Sequence, residues 1–600
     1  MSATCPFRDR KMNTLLPRFI DARLLCLFLA IAGLSGPVAA EETVGPSPDT
    51  ILVNGAIHTM EEDQPTASAL AIRAGKIMAL GATEDIIELK SPTTRVIDLK
   101  GRMVMPGLND GHSHPTEGAI ANLFSCKFEF TATAEDIARI LPACVEKNPS
   151  AEWIVGGRWD SNFFENNDIP SPRKWLDQYS GNKAVYFSDD SGHNGWANTK
   201  ALKLVGMTKD TKDPAGGKII RDAKTGAPNG LLLEEAQTVM EKQLPDWTED
   251  QYQAGVREMT RLANQFGITG IKDAISRDPI LKAYHDVDKA GDLSIHVAAA
   301  ISTPYGHREV SLDYDRLESL RDTFASDHVD TRFVKITNDG VPTASRTAAM
   351  LAPYRPHDHF PANYRGLIHV DEETLTRDVA ELEKRGFTVK IHTAGDRSVQ
   401  EALNAIEKAH KITGRSDLRH ELAHAGYVAE SDIPRFKELN VVADLSPYIW
   451  HPSPIIQSVL DAVGERGKHY WPIRDLLKAG APVLAGSDWP AAVPSLNPWI
   501  GIEAMITRQD PYDKTAGALW PEQAITLEQT LRIFTIEGAR ALRIEETSGS
   551  LKVGKSADLV VLNQNLFRIK ATDIAKTKVD MTFFEGKIVH QSVMEKTRPF

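Results

Sequence analysis

Helical and strand-like patterns alternate along the middle of the chain. Apolar residues recur with a helical period in segments 249–266, 372–385, 398–411 and 430–439. Between them lie short, mostly apolar segments at 268–273, 388–392, 441–445 and 482–485. Short buried strands that alternate with helices are typical of parallel sheets covered by helices. At this length the pattern predicts an α/β fold of the TIM-like (β/α)8 barrel type.

The two ends of the chain carry a different pattern. Strand-like segments broken by glycine and asparagine lie at 50–59, 67–80 and 94–99, and again at 549–562 and 579–589. Neither end could bury much core alone. We therefore predict a small composite β-domain, formed by residues 41–105 and 536–600, beside a barrel of residues 106–535. Two independent β-appendages are the alternative.

Residues 116–250 fit the alternating pattern poorly, because they are rich in Trp, Asn, Asp, Gly and Pro. We interpret them as an insertion after the first barrel strand. Such an insertion would lie over the mouth of the barrel, where loops carry specificity.

The first forty residues have the pattern of an export signal. Basic residues precede an apolar run at 24–34, and small residues follow it up to Ala40. Eleven apolar residues are too few to span a bilayer. We therefore predict a signal peptide over residues 1–40, a periplasmic or secreted protein and no membrane span in the mature chain. The mature chain keeps Cys126 and Cys144, either as a disulfide or as two buried thiols.

Composition changes this picture little. The 600 residues are 42% apolar and 25% charged, as in an ordinary globular protein, and the net charge is −12. Acidic residues are spread along the chain, which argues against nucleic acid as a partner. A small molecule is the expected partner.

Two histidines follow the apolar run 102–106. His112 and His114 are two residues apart, so on a strand both side chains point to the same face. Two imidazole nitrogens at the end of one rigid strand would form half of a metal site. The alternative is a surface turn with two solvated histidines.

Further polar residues stand where later strands are expected to end. These are Lys335 with Asp339 beyond it, His392, His424 with His420 as a competitor, and Asp488. Barrel active sites are built at the C-terminal ends of the strands. Such a set, in chain order around a barrel, predicts a metal-dependent active site.

These motifs resemble the amidohydrolase superfamily of metal-dependent hydrolases, and most closely its branch with N-substituted formamide deformylases. The resemblance extends from about residue 50 to about residue 591. The matching segments are 106–114, 190–198, 267–274, 334–340, 392–397, 422–425 and 486–490.

The resemblance implies a ligand set. His112 and His114 would be ligands from the first strand, and His392 and His424 would bind a second ion or help to hold a single one. Lys335 stands where the superfamily often has a carbamylated lysine, which offers a carboxylate in place of an ammonium without lone pairs. Zinc suits these donors, and iron or manganese would also fit.

Two residues have open alternatives in this scheme. Lys335 could instead be an ordinary buried lysine paired with Asp339. In the inserted region, His193 could donate a hydrogen bond to the carbonyl oxygen of a substrate, or could belong to a structural turn.

Asp488 would be both a ligand and the general base. A divalent ion lowers the pKa of bound water from about 15.7 to roughly 7, and the resulting hydroxide attacks a carbonyl. Asp488 would take the proton and pass it to the leaving nitrogen.

Four residues are candidates for substrate contacts. The segment resembling the family places Trp196 near the site, and Tyr448, Trp450 and His451 follow the strand after His424. For Trp196 the alternative is a structural turn, and for the other three side chains it is packing against the insertion.

The sequence thus predicts a hydrolase that cleaves an amide, N-acyl or formamide-type C–N bond with one or two ions per chain. Hydrolysis of an ester, lactone or carbamate on the same site is one alternative. A binding or regulatory barrel without turnover is another, although no candidate ligand is replaced. The resemblance is compatible with a homodimer.

Overall fold

The computed structural model describes residues 47–592, except 129–131, 160–162, 190–193, 215–216, 305–307, 309, 344, 358–359 and 492. The predicted signal peptide therefore lies outside the described residues, and so does His193.

A sheet of eight parallel strands, ordered as in the chain, forms the centre of the described fold. Its strands are Leu108–Ser113, Ile268–Ser276, His296–Ser302, Val329–Thr337, Thr388–Thr393, Glu421–His424, Val442–Leu445 and Val483–Ala485. The chain that follows the eighth strand returns to the first, because Asp488 N donates to His112 O and His114 N to Trp489 O, each at 2.7 Å. The predicted TIM-like (β/α)8 fold is confirmed.

Helices, most of them amphipathic, cover the sheet. They are Pro115–Phe124, Glu249–Gln265, Asp278–Lys289, Tyr314–Phe324, Glu372–Lys384, Asp396–Thr413, Ile433–Glu438, Pro454–Val463, Ile473–Ala479, Pro498–Thr507, Leu527–Arg532 and Gly538–Ala541, with a π-turn at Ile533–Glu537. Local signals set several of their ends: Thr248 and Gln251 form a capping box, and Gly414 ends a helix with a φ of 73°. Within the described ranges no helix is long and apolar enough to cross a membrane.

Two further sheets are formed by the terminal segments, the first by N-terminal strands and the second by strands from both ends of the chain. One has the order Lys76–Gly81, Ala69–Arg73, Thr50–Val53 and Arg95–Asp98, with the helix Thr83–Ile87 beside it. The other has the order Lys587–Gln591, Val579–Phe584, Leu559–Leu562, Met103–Pro106, Ala56–His58 and Thr66–Ala67. Apolar side chains from both ends of the chain pack in one cluster, among them Leu52, Leu70, Val104, Leu559 and Phe583.

The apolar run before the two histidines belongs to this second sheet. Met103–Pro106 pairs with Leu559–Leu562, with Val560 opposite Met105. The assignment of this run to the strand of the histidines is therefore wrong, since His112 lies near the end of a separate barrel strand, Leu108–Ser113. That polar strand can be buried because its polar groups have partners: Asn109 Nδ2 donates to Thr535 O at 2.8 Å, and Ser487 Oγ donates to Asp110 at 2.6 Å.

The inserted region has its own five-stranded sheet, in the order Gly217–Arg221, Pro228–Glu234, Asn194–Ala197, Ala184–Asp189 and Trp153–Trp159. Its helices are Ala134–Lys147, Phe163–Asn166, Pro172–Asp177, Thr199–Leu204 and Glu235–Glu241. Cys126 and Cys144 are joined by a disulfide, with a Cα–Cα distance of 5.5 Å. Of the two alternatives for these cysteines, the structure has the bonded pair.

Candidate metal centre

Four histidines and one aspartate meet at the C-terminal mouth of the barrel. Asp488 Oδ1 lies 3.3 Å from His114 Nε2 and 3.6 Å from His112 Nε2, and Asp488 Oδ2 lies 3.9 Å from His424 Nδ1. The ring of His424 is 4.6 Å from that of His392 and 4.7 Å from that of His112. His112, His114 and Asp488 each offer a ligand atom, all within 4.8 Å of one another. The strand-end residues predicted from the sequence therefore converge.

The backbone at the mouth is shaped to allow this convergence. A Cβ at Gly486 would lie 2.2 Å from the backbone nitrogen of His112, so the chain after the eighth strand can approach the first only with glycine there. His424 and Asp488 have left-handed φ values of 72° and 58°. Such values cost non-glycine residues on the order of 1–3 kcal/mol each and are concentrated at functional sites.

The hydrogen bonds of the imidazoles determine which ring nitrogens keep a lone pair. Nδ1 of His112 lies 2.6 Å from Asp444 Oδ2, and Nε2 of His392 donates to Gly340 O at 3.1 Å. Nε2 of His112 and Nδ1 of His114 are buried and have no hydrogen-bond partner among the described atoms. Nε2 of His112 and Nε2 of His114 both face Asp488 Oδ1, at 3.6 and 3.3 Å, and such nitrogens beside a carboxylate fit a divalent cation with nitrogen and oxygen ligands.

The electrostatic surroundings keep three of the histidines neutral, the form that binds a metal. Burial, and then the charge of Lys335, lowers the pKa of His392 to about 3. Burial also lowers the pKa of His112 and of His424 well below the ordinary value. Burial alone would lower the pKa of His114, but the hydrogen bond and the charge of Asp488 raise this pKa above the ordinary value for histidine.

Lys335 lies in the fourth strand, buried to 4% exposure. No acidic group lies within ion-pair distance of it in the described part of the chain. Its proposed alternative partner, Asp339, accepts instead from the backbone nitrogens of Ala349, Ala394 and Gly395 at 2.9–3.0 Å. Burial and the charge of Lys390 lower the pKa of Lys335 to about 8. A neutral amine is thus accessible near neutral pH.

The candidate substrate residues lie in packed surroundings. Trp196 is fully buried in the core of the insertion, with its ring 4.8 Å from that of Phe164 and 5.4 Å from that of Trp175. This position gives Trp196 a packing role and does not support a substrate contact, because no face of the ring is open.

Tyr448, Trp450 and His451 are also held within the fold. Tyr448 donates to Leu496 O at 3.3 Å, Trp450 is fully buried against Trp471, and His451 contacts the carbonyl oxygen of Tyr448 at 3.1 Å. Their substrate contacts stay a prediction.

A second histidine–carboxylate cluster lies at the opposite end of the barrel. Nε2 of His420 is 2.9 Å and Nε2 of His410 is 3.3 Å from Glu383 Oε1, and Thr413 donates to the other oxygen of Glu383. Val389 N donates to His420 Nδ1 at 3.0 Å, so the proton of neutral His420 must be on Nε2. Without a lone pair on Nε2, His420 cannot bind a metal through the atom that faces the cluster.

Sequence reasoning missed the buried residues that support the metal centre. Asp444 contacts His112, and Asp110 accepts from both the backbone nitrogen and the hydroxyl of Ser487, at 3.0 and 2.6 Å. The available signal was a lone charged residue inside an apolar strand segment, as Asp444 is in 441–445.

Comparisons with known proteins agree with this geometry. Residues 95–590 match the model of a family described as the amidohydrolase family. The chain is 28% identical to the protein LONG AFTER FAR-RED 3 of Arabidopsis thaliana, over 90% of this chain and 91% of that protein. It is 24% identical to the N-substituted formamide deformylase of Arthrobacter pascens, over 90% and 98%. Its fold is similar to that of an uncharacterized metal-dependent hydrolase from Pyrococcus horikoshii, with a TM-score of 0.69 and 23% identity over 87% and 99% of the two chains.

Proposed function

The chain belongs to the amidohydrolase family and is a metal-dependent hydrolase of carbon–nitrogen bonds, and from this premise we propose that it cleaves a small amide, N-acyl or formamide-type compound. The predicted membership of the superfamily is confirmed. The observation that carries the proposal is the convergence of four histidines and Asp488 beside a buried Lys335 that has no ion-pair partner among the described residues. Similarity to the Arthrobacter deformylase over nearly its whole length supports the choice of substrate.

The proposed ligands of the metal are His112, His114 and Asp488, with His392 and His424 beside them. Zinc suits imidazole and carboxylate donors. When bound, a divalent ion makes a water nucleophilic at neutral pH and polarises the carbonyl of the substrate.

Lys335 is proposed to be carbamylated. Its neutral amine would form an N–C bond to carbon dioxide and release one proton, leaving a carboxylate-like group in place of a cation. The lowered pKa of Lys335 makes the reactive amine accessible, and the absence of a described acidic partner leaves the amine unpaired. A negative group here could bridge two ions, whereas the ammonium would repel them.

Asp488 is proposed to move the proton that amide cleavage requires. It would accept a proton from the attacking water and donate it to the nitrogen of the leaving group. An amine is a poor leaving group unless it is protonated, so an amide substrate depends on this transfer more than an ester does. The distances of 3.3–3.9 Å from the Asp488 oxygens to His112, His114 and His424 support this role.

Metal analysis combined with a substrate panel tests the proposal. The full chain is purified without chelators, its metal content is measured, and N-formyl, N-acetyl and ester derivatives of one aromatic amine or alcohol are compared. About two ions per chain and faster hydrolysis of the amides are expected. One ion would contradict bridging by Lys335, and turnover of the ester alone would contradict the amide proposal. A chain that binds no metal after incubation with zinc and bicarbonate would overturn both.

We further propose that the mature protein is exported. The disulfide between Cys126 and Cys144 supports this, because disulfides persist in oxidising compartments. N-terminal sequencing of protein recovered from a bacterial periplasm should begin at Glu41. A cytoplasmic protein with an intact N-terminus would contradict the proposal.

A further inference from the structure

Four charged side chains are fully buried inside the barrel beneath the candidate metal centre. They come from four strands and comprise two lysines and two carboxylates: Lys272, Lys390, Glu421 and Asp444, all with an exposure of 0–1%. Barrel interiors are normally filled by branched apolar side chains. Burial costs several kcal/mol for each ion unless partners compensate it. We call this set the charged chain.

Positive and negative groups alternate along the charged chain. Lys272 donates to Glu421 and to Ala541 O, the latter at 2.8 Å. The other oxygen of Glu421 lies 2.9 Å from Lys390 Nζ. Lys390 donates in turn to Asp444 and contacts Gly111 O at 3.3 Å. The charged chain therefore fixes the position of Asp444 and surrounds it with compensating positive charge.

The charged chain ends on His112. Asp444 Oδ2, the oxygen that accepts from Lys390, lies 2.6 Å from Nδ1 of this histidine and is placed to accept its proton as well. The proton of neutral His112 is then on Nδ1, and the lone pair is on Nε2. That nitrogen has no described hydrogen-bond partner and lies 3.6 Å from Asp488.

From these contacts we propose that Asp444 is a positioning residue for His112, held in place by Lys390. It fixes the tautomer and the ring orientation that the metal requires. The inference rests on the proposed metal-dependent function and assigns Asp444 and Lys390 a role in it. His114 has no equivalent support in the described structure, since its Nδ1 is buried without a hydrogen-bond partner.

A purely structural role of the charged chain makes a different prediction. In that case substitution of Asp444 would lower the stability of the barrel but leave the affinity for metal unchanged. Metal affinity measured on folded protein therefore separates the two roles.

The experiment compares Asp444→Asn with Glu383→Gln as a matched control. Both replace a fully buried carboxylate that contacts histidine, but Glu383 lies at the other end of the barrel. Zinc affinity is measured by competition with a chromophoric chelator. We expect Asp444→Asn to weaken zinc binding by about 10–100-fold, the usual effect of removing a carboxylate behind a metal-binding histidine, and Glu383→Gln to leave it unchanged.

The same substitution in a His112→Asn variant tests whether Asp444 affects zinc binding through His112. If Asp444 acts through His112, Asp444→Asn should have no further effect on zinc affinity in that background. Equal loss in both backgrounds, or an unchanged affinity of the single variant, would overturn the inference.

A measurement on the unsubstituted protein covers the case in which Asp444→Asn does not fold. Histidine-selective ¹⁵N labelling reports the tautomer of each ring in the metal-free chain, and His112→Asn identifies the signal of His112. A proton on Nδ1 is expected, and a proton on Nε2 would overturn the inference.

The zinc measurements also separate failure of this inference from failure of the proposed function. If the unsubstituted protein binds no zinc, both the proposed function and this inference are wrong. If the unsubstituted protein and Asp444→Asn bind zinc with equal affinity, only this inference is wrong.

Discussion

The two histidine–carboxylate clusters lie at opposite ends of the same barrel strands. His392 and His424 stand at the C-terminal ends of Thr388–Thr393 and Glu421–His424, beside Asp488. His420 stands just before the second of these strands and shares Glu383 with His410. Both clusters bring three possible ligand atoms within reach of one ion.

What separates the clusters is the hydrogen bond on the second ring nitrogen. At the mouth, Asp444 accepts from Nδ1 of His112 and leaves Nε2 with a lone pair. At the base, the backbone nitrogen of Val389 donates to Nδ1 of His420 and forces the proton onto Nε2. Proximity of ligand atoms is therefore insufficient to predict a metal site, and the tautomer imposed by the surroundings decides whether a histidine can bind.

The largest expected contrast concerns turnover. Asp488→Asn should lower kcat for an amide by about 10²–10⁴-fold, because the proton shuttle is lost. Glu383→Gln should leave kcat unchanged, since it lies far from the mouth. Steady-state kinetics with metal content measured on the same samples checks both. Loss of turnover in folded, metal-loaded Glu383→Gln would contradict the conclusion that only the cluster at the mouth takes part in catalysis.

The second contrast concerns acid stability of the metal-free protein. His392 has a pKa of about 3 in the fold and 6.5 when unfolded, so its contribution is complete above pH 6.5 and is lost as the pH falls from 6.5 towards 3. Each such group contributes a slope of roughly 1.4 kcal/mol per pH unit in that window. Urea unfolding between about pH 7 and about pH 5 measures the slope. His392→Gln should reduce the slope by its own share, because His112 and His424 still contribute, and an unchanged slope would contradict the lowered pKa of His392.

A smaller effect is expected from the base cluster on stability. Glu383→Gln should lower the free energy of unfolding by about 1–3 kcal/mol, because the amide nitrogen would face hydrogen-bond donors. Chemical denaturation measures the loss. Zinc content should stay that of the unsubstituted protein; a lower content would mean that the base cluster also binds metal.

The smallest effect is expected at His410. Its side chain is partly exposed and lies 3.3 Å from Glu383, so His410→Asn should cost about 0.5–1.5 kcal/mol of stability. Thermal unfolding with and without zinc checks it, and zinc should raise the midpoint by the same amount in both proteins. A reduced zinc effect in His410→Asn would place a metal at the base.

The sequence by itself determined the barrel and the place of its candidate ligands. Strand and helix periods are local properties, and a ligand at the end of a parallel strand is brought to the mouth by the architecture alone. His392, His424 and Asp488 could therefore be predicted as neighbours although they are far apart in the chain. The strand of His112 was misjudged, because its polar residues are buried only through distant partners such as Thr535 and Ser487.

Only the tertiary structure decided the chemical state of each group. His112 and Asp444 are 332 residues apart, and their contact fixes a tautomer that no local pattern carries. The same holds for His420, whose proton position is determined by Val389 from the neighbouring strand. It also holds for Lys335, whose expected partner Asp339 accepts instead from backbone nitrogens. Protonation depends on burial and on charges from several strands at once, so it follows from the three-dimensional packing of residues.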